Sequence, residues 1–171
     1  MSYQEHQQQS QSIVARCAVV TLSDTRKVEN DTGGQLIRNL LSSAGHTVAA
    51  SELIADDSAV FAALLQRLLN DDGIDVVLST GGTGVAKRDV TIDVAERAIV
   101  RKLDGFGELF RMLSYQQIGS GAMLSRAVGG IAGANGDKLL FAMPGSPKAV
   151  ELAMTKLILP ELKHLLREMR K

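Results

Sequence analysis

The stretch Asp75–Ile99, DVVLSTGGTGVAKRDVTIDVAERAI, decides how this chain is read. It opens as an apolar, β-branched run, breaks at Gly81-Gly82-Thr83-Gly84, passes the charged trio Lys87-Arg88-Asp89 and then turns helical. A continuous apolar run of this kind suits a strand buried on both faces. Glycines at the junction let the backbone take positive φ and approach a ligand closely. Successive amides beside a helix N-terminus form a concave site for anions. The spacing is neither that of a Walker loop nor GxGxxG. Taken alone, the four residues serve equally as a tight turn between strand and helix. The charged trio just beyond them is what a plain turn does not need.

Outward from this junction, strands and helices alternate. Toward the N-terminus, Ala15–Asp24 (ARCAVVTLSD) and His46–Ala55 (HTVAASELIA) read as strands. Between them, residues 33–45 read as a helix with Leu36, Ile37, Leu40, Leu41 and Ala44 on one face and Gly45 as its stop. Residues 57–73 read as a second helix, with Asp57 or Ser58 as cap and an apolar face of Val60, Phe61, Leu64, Leu65 and Leu68. Past the junction, Thr91 is expected to cap a third helix carrying Val94, Ala95, Ala98 and Ile99. Residues 105–119 (GFGELFRMLSYQQIG) look helical, and MLSRAVGGIAG reads as a short helix running into a strand. DKLLFAMPG is a strand ending in a Pro-Gly turn. The C-terminal segment is helical, with Pro160 expected to kink or split it. Alternation of this kind predicts one three-layer α/β/α domain with a mainly parallel sheet, spanning residues 13–171. Such sheets place ligands at the carboxyl ends of their strands.

Composition sets outer limits. In 171 residues, 45% are apolar, enough for one sizeable core, and 19 Lys plus Arg balance 19 Asp plus Glu. A net charge of zero argues against a nucleic-acid binder that relies on a strongly basic surface. No stretch is long and apolar enough to span a membrane. The lone Cys17 lies in an apolar run and reads as a small buried hydrophobe. Residues 1–12 are polar and glutamine-rich, read here as a disordered tail on a cytoplasmic protein. His6, His46 and His164 are too scattered for a metal site, and His46 reads as structural.

The chemistry therefore sits in the loops. Asp56 and Asp89 each follow a predicted strand, and two oxygen ligands from neighbouring loops suit Mg²⁺, which takes its other ligands from water and substrate phosphates. Helix capping by Asp56 or Asp57, and a turn role for Asp89, are the plain alternatives. TLSDTR offers Ser23, Asp24 and Arg26 at the end of the first strand. MPGSPKAV places Pro144, Gly145, Ser146 and Lys148 at another strand end, as a ligand loop or simply a turn and N-cap. Arg126 either holds a phosphate or is solvated. Together these loops suit phosphate held by amides and a divalent metal held by carboxylates.

The segments TGGTGVAKRDVTIDV, GFGELFRMLSYQQIGSGAMLSRAVGG and FAMPGSPKAV, in this order and spacing, resemble the molybdenum cofactor biosynthesis protein B family (MoaB/Mog) from about Arg16 to Leu165. The GFGELFRMLSYQQIG stretch is closer to the B branch than to the Mog branch. The resemblance implies a three-layer α/β/α fold assembled as a homotrimer, or as a hexamer made from two trimers. It also implies binding of molybdopterin, whose terminal phosphate active relatives adenylylate with ATP and Mg²⁺. By motif position, Asp56 and Asp89 are the two catalytic acids that hold Mg²⁺ on the ATP phosphates. Gly81, Gly82, Thr83 and Gly84 form the nucleotide loop, and Pro144, Gly145 and Ser146 a second loop at the nucleotide site. Ser125, Ser23 and Asp24 match positions beside molybdopterin. Glu108, Arg111 and Arg126 are weaker matches. The chain departs from the family where Thr-Pro commonly follows the catalytic aspartate, since Thr91-Ile92 stands here; proline would preset φ at the helix start. A non-catalytic paralogue that binds molybdopterin or a nucleotide is the alternative, because some B-branch members have lost the transfer activity.

A second expectation concerns assembly. Leu109, Phe110, Met112 and Leu113 make GELFRMLS apolar around much of its circumference, which suits a helix buried on more than one side, in the core or at a subunit interface.

Overall fold

Continuous apolar runs in the sequence become the central strands. The computed structural model describes Ser10 and residues 12–171, so the tail expected over residues 1–12 lies mostly outside the described residues. The strands are β1 (Arg16–Leu22), β2 (Thr47–Ile54), β3 (Val76–Thr80), β4 (Ile99–Lys102), β5 (Val128–Ala132) and β6 (Lys138–Met143). They form one six-stranded sheet in the order β2-β1-β3-β6-β5-β4. The pairs β1–β2, β1–β3 and β3–β6 are parallel, whereas β6–β5 and β5–β4 are antiparallel.

The helices are α1 (Thr32–Ser43), α2 (Ser58–Leu69), α3 (Thr91–Ala98), α4 (Asp104–Ile118), α5 (Pro147–Ala153) and α6 (Leu159–Met169). Alternation along β1 divides the core between the two sheet faces. Cys17 and Val19 pack with Ile37 and Leu41 of α1, Phe106 and Phe110 of α4, and Leu162 and Leu166 of α6. Ala18, Val20 and Leu22 pack with Phe61 and Leu65 of α2 and with Ile92 and Val94 of α3. This is the expected three-layer α/β/α sandwich, with burial of large apolar side chains on both faces as its main driving force.

Four local expectations change. Ile99 leaves the third helix and opens β4, a short strand on which Val100 is 67% exposed. Thr91 does not cap α3: Val90 is the cap residue, it makes no side-chain bond, and Thr91 is the fully buried first residue. Val60 lies on the solvent side of α2, 47% exposed, so the core face is Phe61, Leu65, Leu68 and Leu69. Ahead of β5 stands a 3-10 turn, Gly119–Leu124, rather than an α-helix. Pro160 acts as expected, because a π-helical segment, Met154–Ile158, separates α5 from α6. A wider turn accommodates a proline that has no N–H and crowds the carbonyl before it.

α4 is apolar on opposite sides, and the two sides have different fates. Phe110 is buried and Leu113 packs on the core, while Leu109, Met112, Tyr115 and Ile118 form an exposed stripe. Among the described residues, no helix is long and apolar enough to cross a membrane.

Candidate functional site

The chain runs from β1 to β2 on one side of β1 and returns to β3 on the other. This reversal opens a crevice at the carboxyl ends of β1 and β3, the general place for a ligand in an open α/β sheet. The cleft found there has a volume of about 440 Å³. Its walls come from the ends of different strands: Ser23 after β1, Asp56 after β2, Gly81 to Gly84 and Asp89 after β3, and Pro144 and Gly145 after β6. Because β5 runs antiparallel to β6, the segment leading into it arrives at the same end and contributes Ser125.

The glycine loop is shaped by close approach. Gly81 has φ 97° and Gly82 φ 59°. A side chain at Gly81 would collide with the Leu22 carbonyl oxygen. One at Gly82 would collide with Thr91 Oγ1 and stand 2.7 Å from Asp56 Oδ1. Only glycine meets both conditions at low cost. Gly145 lies against this loop, with a Cβ there falling 3.1 Å from Gly81 Cα. The Pro-Gly turn after β6 and the TGGTG turn thus form one wall.

The alternatives for the acidic residues separate. Asp57, not Asp56, caps α2, accepting from Ala59 N at 2.8 Å and Val60 N at 2.9 Å. Asp56 is left to the cleft, with its own N–H donating to Asp24 Oδ1 at 3.0 Å. Burial, then the Asp24 and Asp89 carboxylates, push the Asp56 carboxyl above its ordinary value, against smaller opposing pulls from a backbone hydrogen bond of Asp24 and then from Arg88. Asp89 does serve its turn, Oδ2 accepting from Ala86 N at 2.8 Å, and also lines the cleft. Among the described residues, no group of three or more His, Cys, Asp or Glu is arranged to hold a metal ion by itself.

Other expected residues have mixed placements. Ser23 Oγ accepts from Arg26 N at 3.1 Å, making a tight turn at the cleft edge. Asp24 does not line the cleft but supports Asp56. Ser146 caps α5, accepting from Ala149 N at 3.3 Å. It lines a neighbouring groove of about 1100 Å³ that shares Ser125 and Pro144 with the cleft and carries Lys148. Glu108 and Arg111 face a separate, smaller pocket between α4 and β5. Lys87 and Arg88 are exposed on the loop between the glycines and Asp89.

Two arginines do work that the sequence reading missed. Arg126 is held by the chain itself. Its Nε donates to Thr83 O at 3.2 Å and Gly84 O at 3.0 Å, and its Nη2 to Asp89 O at 2.8 Å. One guanidinium thus fastens the glycine loop and the Asp89 segment together. Arg26 donates from Nη2 to Gly145 O at 3.0 Å, tying the first-strand loop to the Pro-Gly turn. These four partners are backbone carbonyls, which carry no side-chain signature in a sequence.

Comparison with known proteins agrees with this fold. Residues 18–164 match the family described as "Probable molybdopterin binding domain". The chain is 49% identical over 172 residues to molybdenum cofactor biosynthesis protein B of Bacillus anthracis, covering 100% of this chain and 99% of that one. A crystal structure of a molybdenum cofactor biosynthesis protein B superposes with a TM-score of 0.87 at 48% identity, over 92% of this chain and 97% of that one. The tungsten cofactor synthesizing protein MoaB from Pyrococcus furiosus superposes with a TM-score of 0.82 at 33% identity, over 92% and 98%. The chain belongs to the molybdenum cofactor biosynthesis protein B family.

Proposed function

We propose that the cleft binds molybdopterin and transfers the adenylyl group of ATP to its terminal phosphate, with Mg²⁺ as the metal. The observation that carries this reading is Asp56. It is freed from helix capping by Asp57, stands against the glycine loop, and has one carboxylate oxygen buried without a partner. A carboxylate held near Asp24 and Asp89 at a cost is the donor chemistry that a hard divalent cation relieves.

In the reaction, an oxygen of the pterin phosphate attacks the α-phosphorus of ATP. A new P–O bond forms, the bond from the α-phosphorus to the bridging oxygen of the β-phosphate breaks, and pyrophosphate leaves with its electron pair. Such a transfer asks for in-line positioning and charge neutralisation rather than a covalent protein intermediate. Gly81 N donates to Met143 O at 3.2 Å, so the amides of Gly82, Thr83 and Gly84 are the ones that suit phosphate oxygens, and Lys87 and Arg88 add positive charge at the rim. Ser125 and Pro144, shared by the cleft and the neighbouring groove, suit the junction where pterin phosphate meets nucleotide. Asp56 and Asp89 would hold Mg²⁺, which when bound neutralises charge on the phosphates. Molybdopterin adenylylation needs no catalytic histidine, and among the described residues none lies in the cleft.

The test is incubation of purified protein with molybdopterin, ATP and Mg²⁺, followed by mass detection of adenylyl-molybdopterin. Product from the wild type and none from Asp56→Asn supports the reading. Retained molybdopterin with no product from the wild type overturns it in favour of a binding protein of the same family. We also propose that the α4 stripe of Leu109, Met112, Tyr115 and Ile118 is covered in a trimer or a dimer of trimers. A sedimentation mass equal to one chain would contradict this.

A further inference from the structure

The solvent side of α2 is apolar where a surface helix is ordinarily charged. From Ser58 to Gln66 it reads SAVFAALLQ, without one charged side chain, yet Ala59, Val60, Ala62 and Ala63 are all exposed. Part of that side faces α3 across a groove of about 640 Å³, within the range of sites for small organic ligands. Buried Leu65, Leu69 and Val94 line it, as do exposed Val100 of β4 and Gly133 and Ala134 in the turn after β5. The space stays open because Ala59 and Ala62 of α2 and Ala98 of α3 are too small to fill it. Its lining runs from Ser58 to Asn70, the length of α2, about 18 Å at the rise of an α-helix.

The polar groups of the groove have one character. Gln66 and Asn70 stand one helical turn apart on the same face of α2, and Arg97 lies opposite on α3. Arg97 Nε donates to Asp93 O at 3.0 Å along its own helix. Among the described residues its two Nη groups have no partner, and no carboxylate lines the groove. The lining therefore offers a cation and two amides beside a long apolar surface, with no negative side chain to repel an anion. A guanidinium is a donor only, and its planar fork suits carboxylate or sulfonate oxygens.

We propose that this groove is a binding site for a small amphipathic organic anion. Its apolar body lies along α2 on Leu65, Leu69 and Val94, and its acidic end meets Arg97, with Gln66 and Asn70 as hydrogen-bond partners. The site is separate from the cleft, with which it shares no lining residue. It nevertheless touches the supports of the cleft, since α2 follows Asp56 and α3 follows Asp89. The inference stands independently of the adenylylation reading.

The probes are anilinonaphthalene sulfonate, an apolar aromatic body with one anionic group, and its uncharged counterpart phenylnaphthylamine. Both gain fluorescence on leaving water and are titrated into the native protein. Both are expected to bind, and Ala62→Trp, which fills the groove from an exposed position, is expected to abolish both. Arg97→Gln should weaken the sulfonate about two- to fivefold, the reach of an exposed charge pair, and leave phenylnaphthylamine unchanged. Gln66→Trp fills the same groove should Ala62→Trp not fold, which far-ultraviolet circular dichroism reports.

Absence of binding to the wild type overturns the proposal. So does wild-type affinity of the sulfonate for Ala62→Trp, which would move the probe to another apolar surface such as the α4 stripe. Equal effects of Arg97→Gln on the two probes, or none on either, overturn it by removing the anion preference. Displacement of the sulfonate by ATP would put it in the cleft and overturn it likewise. A sedimentation mass lower for Ala62→Trp than for the wild type would give the groove to a second copy of the chain instead.

Discussion

Aspartates stand at both ends of the sheet, and their treatment is opposite. At the amino-terminal end, Asp75 follows the turn into β3. Its carboxylate accepts from Arg16 N at 2.8 Å, Arg16 Nε at 3.0 Å, Arg16 Nη2 at 2.7 Å and Arg170 Nη2 at 2.9 Å. Burial pushes this carboxyl up, but the bonds from Arg16 and the charges of Arg16 and Arg170 outweigh it and hold the group below its ordinary value. Nearby, buried Lys138 donates to Ile74 O at 2.8 Å and Asp71 O at 3.1 Å. The Arg16 and Lys138 bonds tie β1 and β6 to the turn before β3, and the Arg170 bond joins the end of the C-terminal helix to it. At the carboxyl-terminal end, Asp56 has burial and two like charges against it and one oxygen without a partner. One end is satisfied by the chain itself; the other is left in need of something from outside, which is what a binding site costs a fold.

The linkage signs follow from these directions. A carboxyl depressed on folding, as at Asp75, contributes stability that is present above the unfolded value and lost as pH falls toward the folded one. A carboxyl raised on folding, as at Asp56, costs stability once pH climbs past the unfolded value, and the cost is complete above the folded value.

The sharpest way to break the comparison is therefore a matched pair of substitutions. Asp56→Asn is expected to lower adenylyl transfer by at least about 100-fold, the scale for losing a charge-stabilising group. At pH 7 it should leave the thermal midpoint unchanged or raise it, which differential scanning calorimetry would check. Asp75→Ala should do the reverse, losing about 2 kcal/mol in urea unfolding at pH 7 through its orphaned arginine and amide donors. Its turnover per folded molecule should stay close to wild type. A common effect of both on stability and turnover would erase the distinction between the two ends.

Smaller effects refine it. Arg126→Ala removes three donations to the loop carbonyls. It should cost about 1 kcal/mol of stability and loosen ATP binding measured by calorimetry, while Glu108→Ala, in its separate pocket, leaves ATP affinity unchanged. Weaker still is His46, whose Nδ1 accepts from Ala15 N at 3.0 Å and whose pKa burial and then Lys163 hold below the ordinary value. It contributes stability that is complete above about pH 6.5 and declines as pH falls toward the folded value, so the unfolding midpoint of the wild type should fall more steeply across that interval than that of His46→Gln. The least conspicuous outcome concerns Cys17, fully buried with its thiol pushed up to about 12. It should resist thiol reagents at pH 8 until the protein is unfolded.

How much of this was legible depended on whether the information lay in side-chain patterns or in backbone partners. β1, β3 and β6 announce themselves as apolar runs because they are buried on both faces. β4 is hidden: IVRK is only four residues long, largely exposed and contiguous with α3, so it continues a helical pattern in the eye of the reader. Loop chemistry and family motifs point to most of the cleft lining, but not to Thr25 or Leu124, and they add Asp24 and Ser146, which lie outside it. The choice between Asp56 and Asp57 as helix cap was not readable, since either satisfies the same rule one residue apart. Thr91 was assigned to capping because that is the common fate of a threonine at a helix start. Its hydroxyl is instead buried beside Gly82, a tertiary fact. The fastening roles of Arg26 and Arg126 are invisible for the same reason, their partners being carbonyl oxygens brought near by topology.

The most direct test of the account is pyrophosphate release on mixing molybdopterin and Mg-ATP with the wild type, Asp56→Asn and Asp75→Ala, each at equal folded concentration. The account predicts release by the wild type and Asp75→Ala and none above background by Asp56→Asn. Release by Asp56→Asn at the wild-type rate would contradict it.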